Sequence, residues 1–348
     1  MTPKERFIKA CLRQEVDRPP VWMMRQAGRY LPEYRAIKEK HPTKVMMQTP
    51  TIACEITLQP VRLIGVDAAI LYSDILMIPD AMGMGLDFAA GEGPRFAYSI
   101  QDAANLNRLQ TQDVISRLSY VFEAAKLCVQ NLPVDYPLLG FAGAPFTVAC
   151  YMIAGGSESG FASVFRFIEQ DPKSFHALMQ VLAHVTLQYL LEQANAGVVA
   201  VQVFDTWAGL LTPSQYDVFA KPYTEYVLKG LQQAAVPSIH FIKNGTHLFT
   251  QMQTLPSAVL GVDWTVSLKA AFAEVGNRYA LQGNFDPAWL QTDAATIEQK
   301  LQEMIAQVPD LKRGYILNLG HGIDKATPVA HAKYFVQRAK ELGEHSKG

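Results

Sequence analysis

Cysteine is scarce in this chain: four residues (Cys11, Cys54, Cys128, Cys150) are spread over 348 positions, with no CxxC pair among them. A disulfide framework is therefore not expected, and reduced thiols in a cytoplasm are the plain expectation. Long apolar runs are missing too. None approaches the ~20 residues that span a bilayer, so no membrane partner is expected. The opening Met1-Thr2-Pro3-Lys4-Glu5-Arg6 is not followed by an apolar stretch of the secretory kind. Excess charge of one sign is absent: the formal net charge is −1, which offers no basic field for nucleic acid. There is no GxxxxGK[ST] phosphate loop and no GxSxG elbow. Gly83-Met84-Gly85 and Gly91-Glu92-Gly93-Pro94 do not stand between a strand and a helix in the dinucleotide pattern, and both read as loop. His240 and Cys150 lack partners at ligand spacing, so no metal site is expected. An enzyme with no recognisable cofactor site works on a substrate that supplies its own electronics, or holds a cofactor by a route outside the familiar motifs.

What the chain has in plenty is apolar mass. Hydrophobic residues make up 49% and charged ones 18%, enough for a large buried core. Short apolar runs recur along the whole length: Val21 to Met24, Ala68 to Tyr72, Leu138 to Phe141, Val198 to Phe204, Ser238 to Ile242, Ala258 to Val262, Tyr279 to Leu281 and Tyr315 to Leu319. Each is too apolar to have one wet face, which is how parallel strands covered on both sides read. Helical spacing runs through Pro50 to Leu63, Asp113 to Leu132, Pro172 to Ala194, Pro213 to Gln233, Thr296 to Ala306 and Pro328 to Leu342. Strand–helix alternation with a strand count near eight predicts an α/β protein, a closed (β/α)8 TIM barrel rather than an open doubly wound sheet. No low-complexity linker divides the chain, so residues 1–348 are expected to form a single domain with a short N-terminal helical extension.

The strand ends carry the chemistry. In order they are Arg25, Ser73-Asp74, Gly143-Ala144-Pro145, Asp205-Thr206, Lys243-Asn244, Asp263-Trp264, Asn284 with Asp286, and Gly320-His321. In a barrel these positions converge on the C-terminal face, where catalytic groups sit. Taken singly, Asp, Asn or Gly after a strand is as readily a turn former or helix cap. Arg25 and Arg29 stand four residues apart with Gly28 between them. If the segment turns helically, both guanidiniums point the same way and can grip carboxylates or phosphates bidentately. On spacing alone, a pair of surface salt bridges explains them equally well.

The string Pro20-Val21-Trp22-Met23-Met24-Arg25-Gln26-Ala27-Gly28-Arg29-Tyr30-Leu31-Pro32-Glu33-Tyr34-Arg35 closely resembles the first signature of the uroporphyrinogen decarboxylase family. Gly140-Phe141-Ala142-Gly143-Ala144-Pro145-Phe146-Thr147-Val148-Ala149-Cys150-Tyr151 resembles the second. Further matches keep the family's order along nearly the whole chain: Leu58-Gln59-Pro60, Tyr72-Ser73-Asp74-Ile75-Leu76, Phe204-Asp205-Thr206-Trp207-Ala208-Gly209, Gly261-Val262-Asp263-Trp264-Thr265, Leu281-Gln282-Gly283-Asn284 and Leu319-Gly320-His321-Gly322.

The resemblance implies a cofactor-free barrel enzyme, a homodimer in most members, acting in tetrapyrrole synthesis. It removes carbon dioxide from the four acetates of uroporphyrinogen III to leave coproporphyrinogen III. By the same resemblance Asp74 accepts hydrogen bonds from the pyrrole N–H groups and stabilises a ring-protonated cation. Its bland alternative is a strand-end Asp that caps a turn. Arg25 and Arg29 clamp side-chain carboxylates. A guanidinium is a poor general acid, so Arg29 is assigned to positioning, while Arg25 is left open as a catalytic group. Backbone N–H groups of Gln26, Ala27 and Gly28 reach carboxylates, and Tyr151, Thr206 and His321 hydrogen-bond them. His321 has a bland reading as a buried structural histidine.

Three places depart from the family's common pattern. Thr206 stands where serine is also found, Ala154 where glutamate is frequent, and Thr43-Lys44 where phenylalanines are common. Two other readings remain open. Zinc-dependent methyltransferases share the fold but carry His-x-Cys after the fifth strand, where this chain reads His240-Phe241-Ile242. A catalytically silent tetrapyrrole-binding protein on the same scaffold is the other.

Overall fold

The computed structural model describes residues 1–89 and 93–345. Seven parallel strands form its main sheet: β1 (Ala69–Ile70), then, beyond a two-stranded hairpin of β2 (Leu86–Ala89) and β3 (Gly93–Phe96), β4 (Leu138–Gly143), β5 (Ala200–Phe204), β6 (Ser238–Phe241), β7 (Val259–Gly261), β8 (Ala280–Phe285) and β9 (Tyr315–Leu319). Their spatial order follows the chain, β1-β4-β5-β6-β7-β8-β9, every neighbour parallel. Helices occupy the crossovers, as parallel pairing requires.

The expected strand Val21 to Met24 is not a regular strand. A single parallel bridge joins Val21 to Leu317 of β9. Its backbone nonetheless fills the eighth place. Pro20 O accepts from Leu317 N at 3.0 Å, Leu317 O accepts from Trp22 N at 3.2 Å, and Val21 O accepts from Asp67 N at 2.7 Å, just before β1. The ring of strands closes through this segment. Pro19 and Pro20 supply no N–H to a ladder, and the Val21 N–H goes to the Asp67 carboxylate at 2.9 Å instead. A side chain thus takes over part of the pairing.

The other differences are local. The Asp113 to Leu132 helix is broken at Leu118 into Val114–Arg117 and Ser119–Asn131. The Pro213 to Gln233 helix breaks at Ala220, whose φ of −123° leaves the helical region, into Pro213–Phe219 and Lys221–Gln233. Gly93-Pro94 opens β3 rather than a loop, because Gly93 at φ 80° makes the turn into the hairpin. Gly91 and Glu92 lie outside the described residues. Gly83-Met84, expected as loop, lies within the helical stretch Asp80–Met84, kinked at Gly83 (φ 88°), and only Gly85 at φ 67° lies beyond it as the cap. The N-terminal extension is the helix Pro3–Cys11, started by a Thr2–Glu5 capping box.

The barrel interior holds paired polar groups as well as aliphatics. Trp22 Nε1 donates to Gln282 Oε1 at 3.0 Å, and Gln282 Nε2 donates to Gln202 Oε1 at 2.9 Å. Both glutamines are fully buried, so each bond satisfies a group with no access to water. Below the barrel, Arg18 grips Asp67 with two hydrogen bonds of 2.6 and 2.9 Å, and Lys340 of the last helix (Val329–His345) approaches the same carboxylate at 3.0 Å.

Candidate active site

The segment after the closing strand is a sequence of tight turns, not a helix. Arg25 takes a left-handed φ of 58°, and Gly28 passes close to its carbonyl oxygen. The expected helical alignment of the two guanidiniums is therefore replaced by a folded loop. Gln26, fully buried, anchors that loop: its Oε1 accepts from Met23 N at 3.1 Å and its Nε2 donates to Ala68 O at 2.9 Å. The Gln26 N–H is itself engaged, donating to Met23 O at 3.1 Å, so it is not free for a ligand carboxylate as expected. The Ala27 and Gly28 amides bond to no acceptor among the described residues.

Arg25 and Arg29 are exposed, and neither guanidinium has an ion pair or hydrogen bond among the described residues. Surface salt bridges do not account for them. Arg25 lies across Gly322, where any β-carbon would collide with its methylenes. The Gly-His-Gly turn after β9 is thus shaped to let this side chain pass.

Asp74 stands in the turn after β1, enclosed by protein yet still touched by solvent. Its Oδ1 accepts from Leu76 N at 2.8 Å, so the bland reading holds for one oxygen. The other accepts nothing among the described residues. Burial pushes the carboxyl above its ordinary value, and the Leu76 amide and the positive charge of Arg25 only partly offset this. The site therefore holds a carboxylate short of donors.

Tyr151 projects from the helix Pro145–Ala154 and packs edge-on against Phe161 at 5.6 Å and Trp207 at 6.1 Å. Burial pushes its phenol above the usual range, with the charge of Asp74 contributing. Thr206, half-buried, opens the short helix Thr206–Leu210 directly after β5. The His321 ring faces Phe241 of β6 at 6.3 Å. Burial first, then the positive charges of Arg25 and Lys243, lower its pKa to about 3, which leaves the imidazole neutral at ordinary pH. These mutual influences tie Asp74, Arg25, Tyr151, His321 and Lys243 together electrostatically at one end of the barrel. Lys243 follows β6, is half-buried and has no side-chain partner among the described residues. The sequence placed it at a strand end but gave it no role, because a lone lysine there carries no motif.

Two strand-end acids serve the scaffold. Asp263 accepts from Asn244 N and from Thr265 N, clasping two loops together. Asp205 is fully buried and makes no cap to the turn that follows it. Lys44 pairs with Asp80 at 2.8 Å beside the hairpin, and Ala154 closes the helix that carries Tyr151. Among the described residues no three His, Cys, Asp or Glu side chains are grouped as metal ligands would be.

Comparison with known proteins gives this end of the barrel a lineage. The family model described as uroporphyrinogen decarboxylase matches residues 2–342. The chain belongs to the uroporphyrinogen decarboxylase family. A uroporphyrinogen decarboxylase of Legionella pneumophila (strain Lens) is 44% identical over 339 residues, covering 97% of this chain and 96% of that one. Another, from Tolumonas auensis, is 44% identical over 337 residues, covering 95% of each. Among solved structures, a methyltransferase from Methanosarcina mazei superposes with a TM-score of 0.83 at 20% identity, over 98% of this chain and 99% of that one. That likeness is one of fold.

Proposed function

We propose that this chain decarboxylates the four acetate side chains of uroporphyrinogen III, giving coproporphyrinogen III and four carbon dioxide molecules in tetrapyrrole synthesis. The observation that carries the reading is the charge arrangement within a member of this family: one donor-poor carboxylate, Asp74, under the influence of Arg25, together with cations at Arg25, Arg29 and Lys243 that have no side-chain partner among the described residues. The substrate's inward N–H groups match the first, and its rim of carboxylates matches the second.

In each round a proton adds to a carbon of the pyrrole ring. The C–CO2 bond electrons flow into that cation, carbon dioxide leaves, and a second proton completes the methyl group while the ring carbon gives up the first. One proton is consumed per carbon dioxide released. Asp74 stabilises the cationic intermediate by preorganised charge. Arg25, Arg29 and the amides of Ala27 and Gly28 hold acetates and propionates, while Tyr151, Thr206 and neutral His321 add hydrogen bonds. Arg25, nearest in influence to Asp74, is the second catalytic candidate. No cofactor takes part in this scheme. The chain acts as a single barrel domain, as a homodimer and in the cytoplasm. No helix among the described residues is long and apolar enough to cross a membrane.

An anaerobic assay with uroporphyrinogen, following the eight- to four-carboxylate series with and without a chelator, tests the reaction. Turnover unaffected by the chelator is expected; absence of carbon dioxide release overturns the reading. Light scattering on the eluting peak measures the assembly state.

A further inference from the structure

Asp205 stands where a turn cap is expected, yet it caps nothing. Its carboxylate turns into the protein. Oδ1 accepts from Thr147 Oγ1 at 3.0 Å, and Oδ2 accepts from Thr224 Oγ1 at 3.5 Å. The His240 Nε2 lies 3.8 Å away, outside hydrogen-bond reach. Asp205, Thr147, Thr224 and His240 are all fully buried. Burying an acid with so few donors is costly.

The hydroxyl of Thr147 explains the arrangement. While donating to Asp205 it accepts from Trp207 N at 3.0 Å. Thr147 lies one turn before Tyr151 on the helix Pro145–Ala154, so the two share a face. Trp207 is the residue after Thr206 and packs on Tyr151 at 6.1 Å and on Phe161 at 4.9 Å. One hydroxyl thus ties the helix bearing Tyr151 to the turn bearing Thr206, and the carboxylate fixes which way that hydroxyl points.

We propose that Asp205 and Thr147 are positioning residues that set Tyr151 and Thr206 at a fixed separation, so that together they hold a carboxylate on the tetrapyrrole rim. This rests on the function proposed above. The brace acts on the hold and not on the protonated ring. Its loss should raise KM about tenfold, the equivalent of one good hydrogen bond, while kcat stays within about threefold.

The test compares Thr147→Val with Thr147→Ser. Each is read by turnover and, separately, by fluorescence titration with oxidised, non-reacting uroporphyrin. The Val variant should show the rise in KM and a matching loss of porphyrin affinity, and the Ser variant, which keeps the hydroxyl, should resemble the parent. If Val does not fold, Ala against Ser makes the same comparison. Unchanged affinity in the hydroxyl-free variant, or equal losses in both, overturns the brace. A parent that binds porphyrin through the brace but releases no carbon dioxide overturns the proposed reaction and leaves the brace standing.

Discussion

A single carboxylate decides most of the chemistry proposed here. Asp74 is held above its ordinary value of 3.8 by burial. An acid whose folded value exceeds its free value favours the native state at low pH and disfavours it as pH rises through the window between the two. The fold therefore holds the charged form of Asp74 at a cost. Asp74→Asn should melt no lower than the parent and should lose turnover by roughly 10²–10³-fold, the scale of one removed electrostatic stabiliser. Anaerobic kinetics with a melting curve check both; near-normal turnover removes Asp74 from the mechanism. His321 runs the other way. Its value falls from 6.5 to about 3, so between those limits the unfolded chain binds more protons and stability climbs with pH. A rim carboxylate bound beside it would restore some basicity. Binding of uroporphyrin in that window should then take up more proton in the parent than in His321→Asn, as measured by calorimetry in two buffers of different ionisation enthalpy. Equal uptake places the ligand elsewhere.

At the level of elements, the loops after β5 and β6 fit by close contact. A β-carbon on Gly209 would meet the Lys243 carbonyl oxygen, which is backbone and cannot swing aside. Gly209→Ala should destabilise by about 1–3 kcal/mol, the usual cost of overpacking. It should also impair turnover, since both loops reach the site. Denaturant melts beside kinetics test this, and a loss of stability with intact kcat/KM would show that the site tolerates loop movement. Much of this layer was legible in the sequence. Seven apolar runs became strands because a buried parallel strand needs little beyond continuous apolar side chains. Val21 to Met24 misled because apolar content says nothing of missing N–H groups at Pro19 and Pro20, or of an aspartate far along the chain that replaces them. The long helical pattern at Leu118 broke without a Gly or Pro to mark the place, whereas Pro222, in the first turn after Ala220, marks the other break. Asp74, Tyr151 and His321 were proposed through motif. Lys243 and the Thr147–Asp205 pair were not, because their significance lies in what they do or do not touch.

Across the whole molecule, the ring of strands has one joint unlike the rest. Arg18, Lys340 and the Val21 amide converge on Asp67. Burial alone would push that carboxyl up. The two Arg18 hydrogen bonds, with the charges of Arg18 and Lys340, outweigh it and hold Asp67 below its usual range. Its contribution to stability is therefore present above the free value near 3.8 and is lost as pH falls through the lower folded one. Asp67→Asn leaves the buried Arg18 without its bidentate partner, with only the exposed Glu344 carboxylate at 3.2 Å in its place, and should cost about 3 kcal/mol. Urea melts measure it, and a loss under 1 kcal/mol would show the cluster to be incidental. Among the described residues, the other junctions between neighbouring strands rest on ladders of backbone amides, with acids such as Asp205 and Asp263 adding contacts only beyond the strand ends. This one is a stitch of charges, and it runs directly beneath the loop that carries Arg25. If the barrel tears under acid, the tear starts there, and the loop proposed to anchor the substrate is the first thing to come loose.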